Sequence, residues 1–265
     1  MAKLNNGLPI IGSFGEFSIY KMKGVTNLVV RKKGGASREK IKRSPNFALT
    51  RRYNSEWAGC SKAGKNIRLA MNPLLRLADY NISGVLNGLC KTIQKADTIG
   101  RLGERSVWLS KYCHSLEGFN LNRGRSFDSI IRQPIGSVLS REELRASLQL
   151  PALIPGLNFY VPDPFPVFRI IAVLGVLPDM VYTPFGYMPA NKETKLWHDS
   201  LDTGWSPSSS SFPEQTLSLQ LPMDIGLDRH SSLVVSIGIE FGMPLTVDVA
   251  TPIKGTGAAK ILALV

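Results

Sequence analysis

The sequence predicts an α+β fold, in which an N-terminal β-hairpin and long helices precede a C-terminal antiparallel β-sandwich, Ig-like or jelly-roll-like. Apolar residues recur at helical spacing between about residues 45 and 97. After residue 166 the pattern changes to short apolar or alternating runs separated by turn residues, with no helical segment between them. A composition of 43% hydrophobic and 20% charged residues is typical of a globular protein.

The N-terminal hairpin is predicted from two stretches of strand-like sequence. Residues 16–22 alternate between apolar and polar side chains, a turn is expected at Lys23-Gly24, and residues 27–33 return along the first strand. The basic stretch that follows, RKKGGASREKIKRSP, contains a glycine pair and a single acidic residue. We expect it to be a flexible connector.

The helical region is predicted from capping signals and a regular apolar seam. Ser44-Pro45 is typical of a helix start, and Asn72-Pro73 either kinks that helix or begins a second one that ends near residue 97. Ser140 followed by Glu143 resembles a capping box and predicts a short helix that Pro151 ends. The predicted seam consists of Tyr53, Trp57, Cys60, Gly64, Ile67, Met71, Leu74 and Ala78.

The C-terminal strands are predicted from seven runs with strand-like patterning. A cluster of prolines between residues 151 and 166 marks the expected domain boundary, which divides the chain into a basic hairpin and helical region at 1–150 and a β-sandwich at 151–265. The seven runs are 167–177, 180–187, 194–201, 216–221, 233–241, 245–249 and 258–265.

The charge of the chain is distributed unevenly. Residues 1–145 contain 26 Lys and Arg against 10 Asp and Glu, whereas residues 146–265 contain 6 against 10. Such asymmetry indicates an interaction surface on the basic half. The candidate residues for binding an acidic partner or a polyanion are Arg31, Lys32, Lys33, Arg38, Lys40, Lys42, Arg43, Arg51 and Arg52.

Catalytic and cofactor motifs are not recognisable. Residues 59–65 have the spacing of a phosphate-binding loop, but Asn66 replaces the hydroxyl that would hold magnesium and no strand precedes the glycine. The cysteines and histidines lack the spacing of a metal site. We therefore expect no enzyme activity, no cofactor and no metal.

A polar-aromatic cluster in the C-terminal half has two interpretations. These residues could bind a sugar or a peptide, or they could form an ordinary turn. A small-molecule ligand is not the expectation. The cluster comprises Trp197, His198, Asp199, Asp202 and Trp205.

The sequence also lacks targeting and membrane signals. The N-terminal apolar run is shorter than a signal peptide requires, and the most apolar stretch, 167–177, is too short to span a bilayer and contains Arg169. Three cysteines without CxxC spacing fit a reducing compartment. We expect a cytoplasmic protein with no membrane partner.

Several stretches resemble a family of uncharacterised Bacteroidota proteins of no assigned activity. They are RKKGG, SPNFALTRRYNSEWAGCSKAGKNIR, KTIQKAD, GERSVWLS, GIEFG and the terminal GAAKILALV. The resemblance covers most of the chain and implies a bacterial intracellular protein. It transfers no cofactor, activity or functional residue.

Two functions remain open from the sequence. The first is a non-catalytic structural or self-assembly protein, a homo-oligomer in which the basic half contacts an acidic partner or another copy. The second is a nucleic-acid-associated protein, including a shell-forming one, whose basic arm binds the phosphate backbone.

Overall fold

The computed structural model describes residues 2–4, 11–22, 25–246 and 249–265. The chain divides into two compact units, Met1–Arg51 and Arg52–Val265. The fold is α+β, as predicted, with antiparallel strand pairing in every sheet.

The first unit contains a four-stranded sheet in the order β1-β4-β3-β2. The predicted hairpin is confirmed, since β3 pairs antiparallel with β4, although Lys23-Gly24 lies outside the described residues. A two-residue turn at Gly15-Glu16 adds β2 to the other edge of β3. The strands are β1 (Ala2–Leu4), β2 (Gly12–Phe14), β3 (Phe17–Tyr20) and β4 (Leu28–Lys32).

The basic stretch is more ordered than the sequence suggested. Its first cations end β4, and its centre forms the short helix α1 (Arg38–Arg43). Ser37 caps α1, because its side chain accepts a hydrogen bond from the Lys40 amide at 3.2 Å. Polar capping therefore allows a helix where glycine and charge density suggested a flexible connector.

The predicted helices form with altered boundaries. A 3₁₀ turn at Pro45–Phe47 leads into α2 (Ala48–Ala70), and a second one at Asn72–Leu77 separates α2 from α3 (Ser83–Lys95). Of the two predicted alternatives, a kink or a second helix, the structure therefore has the second helix. Shorter helical segments lie at Cys113–Leu116, a 3₁₀ turn, and at Phe127–Ile130, which is α4.

Most strands lie in the second unit, where they form three sheets. A six-stranded sheet has the order β10-β7-β13-β14, with β11 also paired to β7 and β15 to β13. The other two have the orders β12-β6-β5 and β8-β9. The strands are β5 (Gly136–Ser140), β6 (Arg145–Leu150), β7 (Val167–Pro178), β8 (Met180–Thr183), β9 (Gly186–Pro189), β10 (His198–Asp202), β11 (Ser206–Pro207), β12 (Gln215–Gln220), β13 (Ser231–Pro244), β14 (Ala250–Pro252) and β15 (Ala258–Leu264).

Strands β7 and β13 form the centre of the second unit and are apolar on both faces. One face of β7, which includes Phe168 and Leu174, packs in the same core cluster as Leu148 and Leu217 of the three-stranded sheet. The opposite face, which includes Val173, packs with the apolar side of α2 and α3. The two sheets therefore form a sandwich, and helices cover the outer face of its larger sheet.

Two glycines let the helical layer approach this sheet closely. A Cβ atom at Gly175 of β7 would collide with the Ala70 carbonyl at the end of α2. A Cβ at Gly238 of β13 would lie 2.6 Å from Leu77 and 2.8 Å from Leu74. Gly175 therefore requires the absence of a side chain, and a side chain at Gly238 would force Leu74 and Leu77 to shift.

The second unit, Arg52–Val265, continues across the predicted domain boundary at 150/151. Strands β5 and β6 precede that boundary but pair, through β6, with β12. Helices α2 and α3 share a core cluster with β7 and β13. The physical reason is that central strands apolar on both faces need a covering layer on each side, and the helices supply one of them.

The predicted helix after Ser140 is wrong. Ser140 ends β5, and residues 141–144 form the turn into β6, in which Leu144 has a φ of 51°. The Ser140 hydroxyl does accept a hydrogen bond from the Glu143 amide, at 3.2 Å. This bond stabilises a turn as well as a helix start, and the period-two pattern from Ala146 to Leu150 favours the strand.

The prediction of a buried apolar seam along α2 is correct only for the second half of the helix. Cys60, Ile67 and Met71 are buried, whereas Tyr53 and Trp57 are 50% and 47% exposed. Among the C-terminal runs, 180–187 is a hairpin of β8 and β9, and 194–201 shortens to β10. In 245–249, residues 247 and 248 lie outside the described residues and the others form no strand.

Candidate functional site

The basic face of the first unit's sheet carries a pocket of about 220 Å³. Ser18 of β3 lies directly across from Arg31 of β4, and strand alternation places Tyr20 on the same face. Lys33 and Gly34 complete the lining. Among the described residues the walls therefore contain two cations, two hydroxyl groups and no acidic side chain, a combination suited to an anion with several oxygen atoms.

Local hydrogen bonds hold one of the two cations in place. The Lys33 Nζ donates to the Gly15 carbonyl at 3.0 Å, and the Lys33 amide donates to the Glu16 carbonyl at 2.5 Å. The Arg31 side chain has no ion pair with the described residues, so its guanidinium is available to a ligand.

The cations of α1 extend this basic surface along the chain. Arg38, Lys40, Lys42 and Arg43 are exposed, and none forms a salt bridge within the described part of the chain. Lys32 is paired with Glu16 at 3.1 Å, but both side chains are about 70% exposed or more, so the pair is weak.

The last two predicted cations have other positions. The Arg51 Nη1 donates to the carbonyls of Ile41 and Ser44, both at 2.8 Å, and so satisfies groups at the C-terminal end of α1. Arg52 belongs to the second unit, where it is exposed on α2. Arg51 therefore stabilises the helix end.

Sequence reasoning found the cations of the pocket but not Ser18, Tyr20 or Gly34. The alternation of residues 16–22 identifies Ser18 and Tyr20 as sharing one face of a strand. Their partners depend on the strand register, and the Ser18–Arg31 pairing is visible only in the structure. The exact position of the turn near Lys23-Gly24 determines this register, so a more precise prediction of the turn would have predicted the pairing.

The loop-like motif at residues 59–65 lies in the middle of α2. Cβ atoms at Gly59 and Gly64 would collide with the side chains of Tyr187 and Asn87, respectively. Both glycines therefore serve helix packing, and the surrounding backbone amides are part of a helix rather than a phosphate-binding loop.

The polar-aromatic cluster is divided between two environments. Trp197 and His198 line an apolar pocket of about 190 Å³ together with Leu69. Asp202 and Trp205 instead contact Arg169, with the carboxylate 3.1 Å from the guanidinium Nη1 and the guanidinium 4.6 Å from the indole ring centroid. The structure thus does not combine these residues into one ligand site.

A buried carboxylate anchors the polar core of the second unit. The side chain of Glu56 is fully buried, accepts two hydrogen bonds from Arg105 at 2.6 and 2.8 Å, and also accepts from Lys91 and the Gly103 amide. Burial raises the pKa of Glu56, but the hydrogen bonds from Arg105 and Lys91 outweigh burial and lower it to about 2. Every strong donor here already has a protein partner, so this is a structural network.

A serine, an aspartate and a histidine also lie together, but not in the order of a catalytic triad. The Ser110 hydroxyl donates directly to Asp179 at 2.6 Å, and the His230 Nδ1 lies 3.7 Å from the same carboxylate. In a triad the histidine lies between the serine and the acid, where it takes the serine proton. Here the buried Asp179 lies between them, so the serine is not activated by the histidine.

Two of the three cysteines, Cys60 and Cys90, are buried thiols. Burial raises the pKa of Cys60 to about 11 and that of Cys90 to about 12, so both remain protonated and unreactive at neutral pH. No group of three or more His, Cys, Asp or Glu side chains that could hold a metal occurs in the described ranges. Within the same ranges, the helices lack the length and apolarity needed to cross a bilayer.

Comparisons with family models, with curated proteins and with solved structures return no match for this chain. The candidate site therefore depends on its own geometry: a pocket of two cations and two hydroxyls on a sheet, followed along the chain by a helix whose cations form no salt bridge with the described residues.

Proposed function

We propose that this protein is a non-catalytic polyanion-binding protein whose first unit binds the phosphate backbone of nucleic acid. The observation that carries the proposal is the pocket in which Arg31 and Lys33 lie beside Ser18 and Tyr20, with no acidic side chain among the described lining residues. Guanidinium, ammonium and hydroxyl groups are the common protein donors to phosphate oxygens.

The charge of the first unit supports a polyanion rather than a single small anion. Residues 1–51 contain 11 Lys and Arg against two acidic residues, a net charge of +9. A surface of this kind neutralises several phosphates at once and releases their counterions, which produces tight binding at low salt.

Docking of this surface on the C-terminal half of another copy has less support. Of the ten acidic residues in 146–265, Asp179 and Glu240 are buried. Three more, Asp163, Asp202 and Asp224, are already paired with cations of the same chain. At most five acidic residues of that half are then neither buried nor paired, which is a weak complement to a unit of charge +9.

The test is a binding titration with labelled duplex and single-stranded DNA followed by fluorescence anisotropy. Binding through about four phosphates weakens roughly fiftyfold for single strands and roughly 150-fold for duplex when salt rises from about 50 to 200 mM. The double variant Arg31→Glu and Lys33→Glu should lose most of the affinity for both forms of DNA and show a smaller salt slope.

A matched control uses Lys65→Glu and Lys254→Glu, which make the same change in net charge at exposed positions of the second unit. This variant should bind DNA nearly as well as the wild type. If both variants lose the same affinity for DNA, net charge and not the pocket determines binding. If the wild type does not bind DNA, the proposal is refuted.

A further inference from the structure

The sheet of the first unit carries an aromatic row on the face opposite the pocket. In the strand register, Phe14 of β2 pairs with Phe17 of β3, and Phe17 pairs with Lys32 of β4. These three residues therefore lie side by side across three neighbouring strands and point to the same side. Ser18 and Arg31 are their immediate neighbours in sequence and point to the other side.

Both rings are unusually exposed for phenylalanine. Phe14 is 76% and Phe17 is 49% exposed, and neither forms a ring contact with another aromatic side chain within the described residues. Adjacent exposed rings on a sheet are typical of a binding surface rather than of a folding core. Lys32 adds a cation at the end of the row, held only by its weak ion pair with Glu16.

We propose that the row Phe14–Phe17–Lys32 stacks unpaired bases, so that the protein prefers single-stranded over duplex nucleic acid. This inference rests on the proposed function, because the cations of the unit supply the attraction to phosphate. Every base has a flat π-face that stacks on an aromatic ring, and a cation beside the ring binds the adjoining phosphate. In a duplex those faces are already covered by neighbouring base pairs.

The charge pattern around the rings favours nucleic acid over an anionic membrane. The turn that connects β2 and β3 is Gly15-Glu16, so an acidic side chain lies at the tip of the hairpin that would have to enter the bilayer. Burying a carboxylate among lipid headgroups of like charge is unfavourable. Stacking on the rings does not bury Glu16, and a phosphate that binds Lys32 has to displace only an exposed ion pair with that carboxylate.

The test compares oligothymidylate of about 16 nucleotides with a duplex of the same length. Phe14→Ala and Phe17→Ala should each weaken single-strand binding about tenfold, because one stacked base is lost, and should leave duplex binding unchanged. Phe185→Ala is the matched control, since Phe185 is 95% exposed in the second unit. It should change neither affinity.

A second variant reports stacking directly. Phe17→Trp keeps an aromatic ring at the centre of the row, and its fluorescence, taken as the difference from the wild type, should be quenched by oligothymidylate and not by duplex. Circular dichroism checks that each variant keeps the fold, which is expected because both rings are exposed.

The outcomes separate this inference from the proposed function. If charge reversal at Arg31 and Lys33 abolishes binding while both alanine variants bind single strands like the wild type, stacking is refuted and phosphate binding stands. If the wild type binds neither form of DNA, both fail. If Phe14→Ala loses binding only to vesicles of anionic phospholipid, the row is a membrane contact and the inference is overturned.

Discussion

At the scale of single residues, the two units use charge in opposite ways. In the second unit, Glu56 is enclosed by cations that satisfy its carboxylate, and Arg76 and Arg169 do the same for Glu240. In the first unit, Arg31 and the exposed cations of α1 have no such partner among the residues that the structure describes. Buried charge with a partner stabilises a fold, whereas exposed charge without one attracts a ligand.

Glu56 gives a pH-dependent prediction. Its pKa is lowered from 4.5 to about 2 in the folded protein, so the unfolded chain binds more protons between these values. Its contribution to stability, about 3 kcal/mol, is therefore complete above pH 4.5 and is lost as the pH falls towards 2. We expect urea denaturation to show this loss in the wild type.

The Glu56→Gln variant is the comparison for that measurement. At neutral pH it should be less stable by about 3–5 kcal/mol, because Arg105 and Lys91 keep their charges without the carboxylate. Between pH 4.5 and 2 its stability should fall less than that of the wild type. Parallel pH profiles for the two proteins would show that Glu56 is not the titrating group.

At the scale of elements, helix α2 changes environment along its length. Its first turns expose Tyr53 and Trp57, and its later turns bury Cys60 and Ile67 beneath the central sheet. Apolar spacing predicts one continuous buried seam, but burial depends on where the covering sheet begins, which periodicity does not indicate.

This difference within α2 predicts that replacing a side chain by alanine lowers the stability of the protein less at Trp57 than at Ile67. Trp57→Ala should cost less than about 1 kcal/mol, because the indole is half exposed, whereas Ile67→Ala should cost about 2–5 kcal/mol by leaving a cavity. Chemical denaturation of both variants checks the order. A larger loss for Trp57→Ala would restore the continuous seam that the sequence predicted.

The strands and the candidate site show where sequence reasoning succeeds. Local patterns predicted β3, β4, β7, β13 and β15, because alternation and apolar runs are properties of one segment. Pairing such as β6 with β12 is non-local, and the pocket beside Arg31 depends on strand register in the same way. The cations could therefore be identified from the sequence, but their arrangement into a site could not.

At the scale of the whole molecule, the uneven charge bears on self-association. A chain with basic and acidic halves is expected to pack head to tail, but the acidic half offers few acidic side chains that lack a cation. Among its described residues these are Asp199, Asp228, Glu193 and Glu214, and the first two accept hydrogen bonds from backbone amides. The excess positive charge of the first unit then repels other copies, and the repulsion is strongest at low salt, because the Debye length shortens to about 8 Å at physiological salt.

We therefore predict that the protein alone is monomeric at micromolar concentration and low salt, and that light scattering detects larger particles only after long single-stranded nucleic acid is added. The physical reason is that a polyanion neutralises the +9 charge of residues 1–51 on several copies at once, which the chain's own acidic half cannot do. Particles that form without nucleic acid, dissolve in high salt and disappear in the Arg31→Glu and Lys33→Glu variant would instead establish self-assembly through the basic unit.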